Sequence, residues 1–198
     1  MMRKTVEPIS HTNRKGKTYY LHAATRKSGK TVYVMKPSAE GGLTELPDGY
    51  SITEGVNGEV SVGRQKPRQI TEQEEAQVSA ALERLGLKHY RCAAKDAYLI
   101  IYEPLHSGAD LRETASELAG PFFGQLNSWI ADKLAAGPLE PVMRFQLVDK
   151  EQRLFTVERM TYRGEGGWHW LTGRGEPLPE LAEKYLPHLG KESFFDLI

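Results

Sequence analysis

Ala97-Tyr98-Leu99-Ile100-Ile101-Tyr102 is the most apolar run in a hydrophilic chain, with Asp96 before it and Glu103-Pro104 after it. Six residues is the length of a strand and too short for a helix buried all round. Tyr, Leu and Ile suit a pleated surface, and a proline cannot donate to a ladder, so the strand should stop at Pro104. A strand this apolar is expected to be the central one of the main sheet, covered on both faces.

Its neighbours follow from local signals. Thr71-Glu72-Gln73-Glu74 reads as a capping box, and Val78, Ala81, Leu82 and Leu85 form one stripe, so a helix runs from Thr71 to Gly86. Lys88–Ala94 is the expected hairpin partner of the apolar strand. Leu111–Leu118 reads as a short helix. Pro121–Ala136 reads as a longer one, with Phe122, Leu126, Trp129, Ile130 and Leu134 on one face. Val142–Val148 and Leu154–Tyr162 pair across Asp149-Lys150-Glu151-Gln152. Trp168–Leu171 is a further strand, Leu178–Leu189 a last helix, and Ser193–Ile198 an apolar tail. Strands joined largely by hairpins and interrupted by helices define an α+β fold with a mainly antiparallel sheet and two to four covering helices.

The first third reads differently. Lys17–His22 and Thr31–Met35 form a hairpin whose turn, Arg26-Lys27-Ser28-Gly29-Lys30, places Gly29 where positive φ is needed. Tyr50–Glu54 and Glu59–Val62 pair through Asn57-Gly58, a two-residue hairpin signal. Pro67 closes this stretch, so residues 1–69 are a β-rich module ahead of a main domain at 70–198. Charge divides at the same place. Residues 1–69 hold 12 Lys and Arg against 6 Asp and Glu, and the remainder 14 against 20, although the whole chain is formally neutral. Such a split means either a surface that meets an anion or two halves that attract each other.

Thr12-Asn13-Arg14-Lys15-Gly16-Lys17-Thr18-Tyr19-Tyr20-Leu21-His22, followed by Ser28-Gly29-Lys30 and Leu46-Pro47-Asp48-Gly49-Tyr50, resembles a family of uncharacterised prokaryotic proteins. The resemblance covers the first third and implies a recurring module without implying an activity. Leu46–Tyr50 is also similar to the opening of a WW domain. Tyr50 stands where that domain has its first tryptophan, and no second tryptophan follows, so its peptide groove is not carried over.

Few residues point to chemistry. Arg14, Lys15, Lys17, Arg26, Lys27 and Lys30 are interleaved with Tyr19, Tyr20 and Tyr33, the mixture of cations and stacking faces that a nucleic-acid surface needs. The same residues serve a protein partner equally well. Asp96 and Glu103 flank the apolar strand as acids of metal-dependent nucleases and hydrolases do, but no lysine follows Glu103 at a two-residue offset. The six histidines show no metal-ligand spacing, and the single Glu-x-x-His, Glu103–His106, contains a proline. Cys92 alternates with Tyr90 and Ala94 on one strand face and reads as a buried structural thiol. Trp168 and Trp170 share a face opposite His169, and burial of both is expected because large aromatics are mostly interior. Neither metal nor cofactor is expected.

One cysteine allows no internal disulfide, and no apolar run reaches the length of a membrane span. No apolar segment follows the basic start Met1–Thr5, so a cytoplasmic protein without a secretory leader is expected. The function that fits is a non-enzymatic interaction protein. It would bind a protein partner, or a second copy of itself, through the basic first third, with nucleic-acid binding and Asp96/Glu103 hydrolysis as alternatives.

Overall fold

The computed structural model describes residues 7–105, 137–161 and 167–197. They fall into two compact units, one up to Pro67 and one from Arg68. In the first unit β1 (Ser10–Thr12), β2 (Thr18–Thr25) and β3 (Thr31–Lys36) make an antiparallel sheet in that order, and β4 (Tyr50–Glu54) pairs with β5 (Val60–Arg64) in a second, two-stranded one. Both expected hairpins form, and β1 is an addition to them. Its register sets His11 against Tyr19 and Thr12 against Thr18.

The three hairpin turns of this unit are closed alike. Gly16, Gly29 and Gly58 take positive φ and donate their N–H to the carbonyls of Asn13, Arg26 and Gly55, three residues back. Asn13, Arg26 and Gly55 in turn donate to the carbonyls of Lys17, Lys30 and Glu59. The Asn57-Gly58 loop therefore differs from the expected two-residue hairpin. Gly58 alone takes positive φ, at 81°, whereas the two-residue form of this dipeptide needs it at both central positions. The wider loop runs from Gly55 to Glu59 and presents the Gly58 carbonyl to Asn13.

Among the described residues the second unit is a six-stranded antiparallel sheet with two α-helices, which makes the fold α+β. Its strands are β6 (Arg91–Lys95), β7 (Tyr98–Pro104), β8 (Leu139–Asp149), β9 (Leu154–Met160), β10 (Trp168–Trp170) and β11 (Glu176–Pro177). Their order is β10-β9-β8-β7-β6, with β11 also on β9. The helices are α1 (Glu72–Arg84) and α2 (Leu178–Tyr185), which pack together and over the sheet. The expected helices at 111–118 and 121–136 lie outside the described residues. No described helix is long and apolar enough to cross a membrane.

α1 begins as its sequence dictates. The Thr71 hydroxyl accepts from the Glu74 N–H at 3.2 Å, and the Glu74 carboxylate accepts from the Thr71 N–H at 2.8 Å. Val78, Ala81 and Leu82 are buried, while Leu85, the last member of the predicted stripe, is 40% exposed. The apolar run does become β7 and ends at Pro104. It is not the central strand, however: β8 is, pairing with β7 and β9 along its 11 residues. Nor is β7 fully covered. Leu99 and Ile101 are completely buried against the helices, while Tyr98, Ile100 and Tyr102 on the opposite face are only half-buried. β8 alternates apolar and polar residues, so its central position does not show as apolar density.

The expectation that both tryptophans are core is also corrected. Trp170 is 55% exposed. Trp168 is half-buried on the sheet face away from the helices, where Arg144 lies over its ring. A three-residue outer strand has too few neighbours to enclose two indoles. The tail, by contrast, is docked. Phe194 is buried in the core, and the Arg159 guanidinium donates to the carbonyls of Phe195 and Leu197, both at 3.1 Å.

Candidate interaction surface

The basic turn that precedes β2 is built on Asn13. Its side chain is buried, donates from Nδ2 to the Gly58 carbonyl at 2.6 Å, and accepts at Oδ1 from the N–H groups of Lys15 and Lys17 at 3.1 and 2.9 Å. This holds the turn tip so that Lys15 and Lys17 face outward. Beside it lies Glu54, whose Oε2 accepts from His11 Nε2 at 2.9 Å and whose Oε1 accepts from the Arg14 N–H at 3.0 Å. These bonds, that from His11 first, and the nearby charges of Arg14 and His11 hold the Glu54 carboxyl below its ordinary value.

Arg14 is thereby committed within the unit. Its guanidinium stands 3.7 Å from Glu54 and donates to the Gly55 carbonyl at 2.9 Å. Lys15, Lys17, Arg26, Lys27 and Lys30 are exposed and form no ion pair among the described residues. They do not make one patch. Lys15 and Lys17 precede β2 while Arg26, Lys27 and Lys30 follow it, so the two groups stand roughly 25 Å apart, the rise of an eight-residue strand. The tyrosines divide as well. Lys17 Nζ lies 5.4 Å from the centroid of the Tyr19 ring. Tyr33 packs edge-to-face on Tyr50 with centroids 4.9 Å apart, so it serves the interior of the unit. Tyr20, on the other face of β2, is half-buried.

Asp96 and Glu103 are not brought together. Asp96 sits in the β6–β7 turn with φ of 52°, and Glu103 lies near the far end of β7, roughly 23 Å along the strand. Glu103 accepts from the Tyr90 hydroxyl at 3.1 Å. Among the described residues no three His, Cys, Asp or Glu side chains converge as metal ligands would. The His22 ring is buried against the Ser38 carbonyl at 2.8 Å, and His188 Nδ1 meets the Ser193 hydroxyl at 3.0 Å. Burial, with the Glu75 charge adding to it, pushes the Cys92 thiol up to about 12, which keeps it protonated at neutral pH.

One cluster escaped the sequence reading. The Arg144 guanidinium lies 4.5 Å from the Tyr98 ring centroid and 4.2 Å from that of Trp168, and it pairs with the carboxylate of Glu158, a residue only 2% exposed. A buried carboxylate needs such a partner. The available signal was Arg144 alternating with Met143 and Phe145, which placed it on the other face but could not name what it meets there. No protein-family model, no curated protein and no solved structure matches the chain.

Proposed function

We propose that this is a cytoplasmic, non-enzymatic interaction protein that binds an anionic macromolecular partner through the turn tips of its basic first unit. The observation that carries the reading is the set of five exposed cations, Lys15, Lys17, Arg26, Lys27 and Lys30, with no ion pair among the described residues, while Glu54 is already engaged. Cations without partners remain available to an external anion and cost little to desolvate at a surface. Two groups roughly 25 Å apart favour an extended partner over a small ligand. The test uses the full chain as bait beside a variant with Lys15, Lys17 and Lys27 changed to Glu. A partner recovered by the parent and lost with the variant supports the reading; identical recovery overturns it.

Nucleic acid is the second reading, favoured by Lys17 over Tyr19. Anisotropy of labelled random single- and double-stranded DNA and RNA decides it. If all five cations met duplex phosphates, log K would fall with log salt at a slope of about −4.5. No binding at low salt removes this reading and leaves an acidic protein surface as the partner.

A further inference from the structure

Between α1 and β6 lies a groove of about 590 Å³. Leu82, Leu87, Tyr90 and Cys92 line its apolar side, Ser79 and Glu83 stand on its helical rim, and Lys88 and Arg91 stand at the start of β6. The volume falls within the roughly 300–1,000 Å³ of pockets that take a drug-sized ligand.

The strand beside it is an edge. Among the described residues β6 pairs only with β7. Lys95 opposes Tyr98 across the short Asp96-Ala97 turn, so the ladder alternates from there. Arg91, Ala93 and Lys95 turn their backbone groups toward β7, and Cys92 and Ala94 turn theirs outward. At Ala94 the outward direction is visible, because its N–H donates to Glu75 Oε1 at 3.3 Å. At the other end Arg91 Nη1 donates to the carbonyls of Lys88 and Tyr90 at 2.7 and 2.9 Å. Side chains thus cap the edge on both sides of Cys92, whose own N–H and C=O point away from β7.

We propose that this groove binds the C-terminal segment of a partner protein as an extended strand added antiparallel to β6, with an apolar side chain seated between Leu82 and Leu87 and the terminal carboxylate beside Lys88 and Arg91. The antiparallel sense is the one in which the two cations and the edge act on the same segment. One residue of an added strand exchanges both hydrogen bonds with the outward Cys92 N–H and C=O only in that direction. It also brings the C-terminal end of the added segment to the N-terminal end of β6, where the two cations stand. Arg91 spends one Nη on the carbonyls and keeps further donors for a carboxylate. The surface lies in the second unit and does not rest on the basic turn tips.

The probe is a library of short synthetic peptides, randomised except for a C-terminal Leu, Val or Phe and carrying a free carboxylate. Binders selected on the full chain are measured by anisotropy as free acid and as C-terminal amide. Amidation should weaken binding at least about tenfold, the loss expected for a charge-assisted contact. Lys88→Glu with Arg91→Glu should do the same, and Ser79→Trp, which fills the groove from its rim, should abolish binding with the melting curve unchanged. Amide exchange at Cys92 should slow in the complex. Failure to select any peptide overturns the proposal. So does a binder indifferent to amidation, which would mark an internal segment, or one indifferent to both the charge reversals and Ser79→Trp, which would mark another surface.

Discussion

Asn13 is 5% exposed and satisfies three backbone groups, one of them 45 residues away. Asn13→Ala leaves the Gly58 carbonyl and two N–H groups without that partner, and should cost about 2 kcal/mol, read from the denaturant midpoint of the full chain. Asn13→Asp keeps the acceptor but sets a carboxylate oxygen against the Gly58 carbonyl, so it should restore only part of the loss. Glu54 gives a pH dependence of known sign. Its folded value is depressed below the ordinary 4.5, chiefly by the hydrogen bond from His11. The stabilisation is therefore present above the ordinary value and is lost as pH falls through the lower folded value. Unfolding midpoints taken from about pH 6 to about pH 3 should fall more steeply for the parent than for Glu54→Gln; parallel curves would refute the assignment. Neither residue's role was legible. The partner of Asn13 at Gly58 and that of Arg14 at Glu54 are 45 and 40 positions distant. Local pattern carries no information about such contacts, and so Arg14 read as a free cation.

Elements set by neighbours in sequence were readable, and those set by distant pairing were not. The capping box of α1 and the turn at Arg26–Lys30 use only residues within five positions of each other, and both form as expected. β10 forms where the alternation of Trp168, His169 and Trp170 placed a strand, but β1 is three residues long and exists because a partner strand is present, so no periodicity announces it. The shared turn closure of the first unit permits a comparison. Gly29→Ala puts a Cβ into open space, and its cost should be the backbone strain of positive φ alone, about 1 kcal/mol. Gly58→Ala carries that strain too, and its Cβ would stand 3.2 Å from Asn13 Nδ2 and 3.6 Å from the Lys15 side chain. It should cost more than Gly29→Ala and should broaden the Asn13 side-chain amide resonances. Equal costs would mean that the Asn13 contact gives way freely.

At the scale of the chain, the α+β class was legible because hairpins dominate, and antiparallel pairing follows from short connections. Strand order was not, since β8 joins β7 only after the chain returns from residues beyond Leu105, and β11 reaches β9 past β10. The candidate surface was legible as composition but not as geometry: six cations read as one basic hairpin stand in two groups at opposite ends of β2. What the composition could not reveal is where full burial falls in each unit. Leu21 is fully buried in the first, and Leu99 fully buried in the second, packed with Ile101, Met143, Phe145 and Val157. Truncating either leaves a cavity, and each change should cost about 3 kcal/mol in the unit that holds it. Leu99→Ala should speed amide exchange along β7 and β8, and Leu21→Ala along β2 and β3. If exchange in β2 and β3 responded to Leu99→Ala as strongly as exchange in β7, the chain would have one unit of stability, and its division at Pro67 would be one of packing density alone.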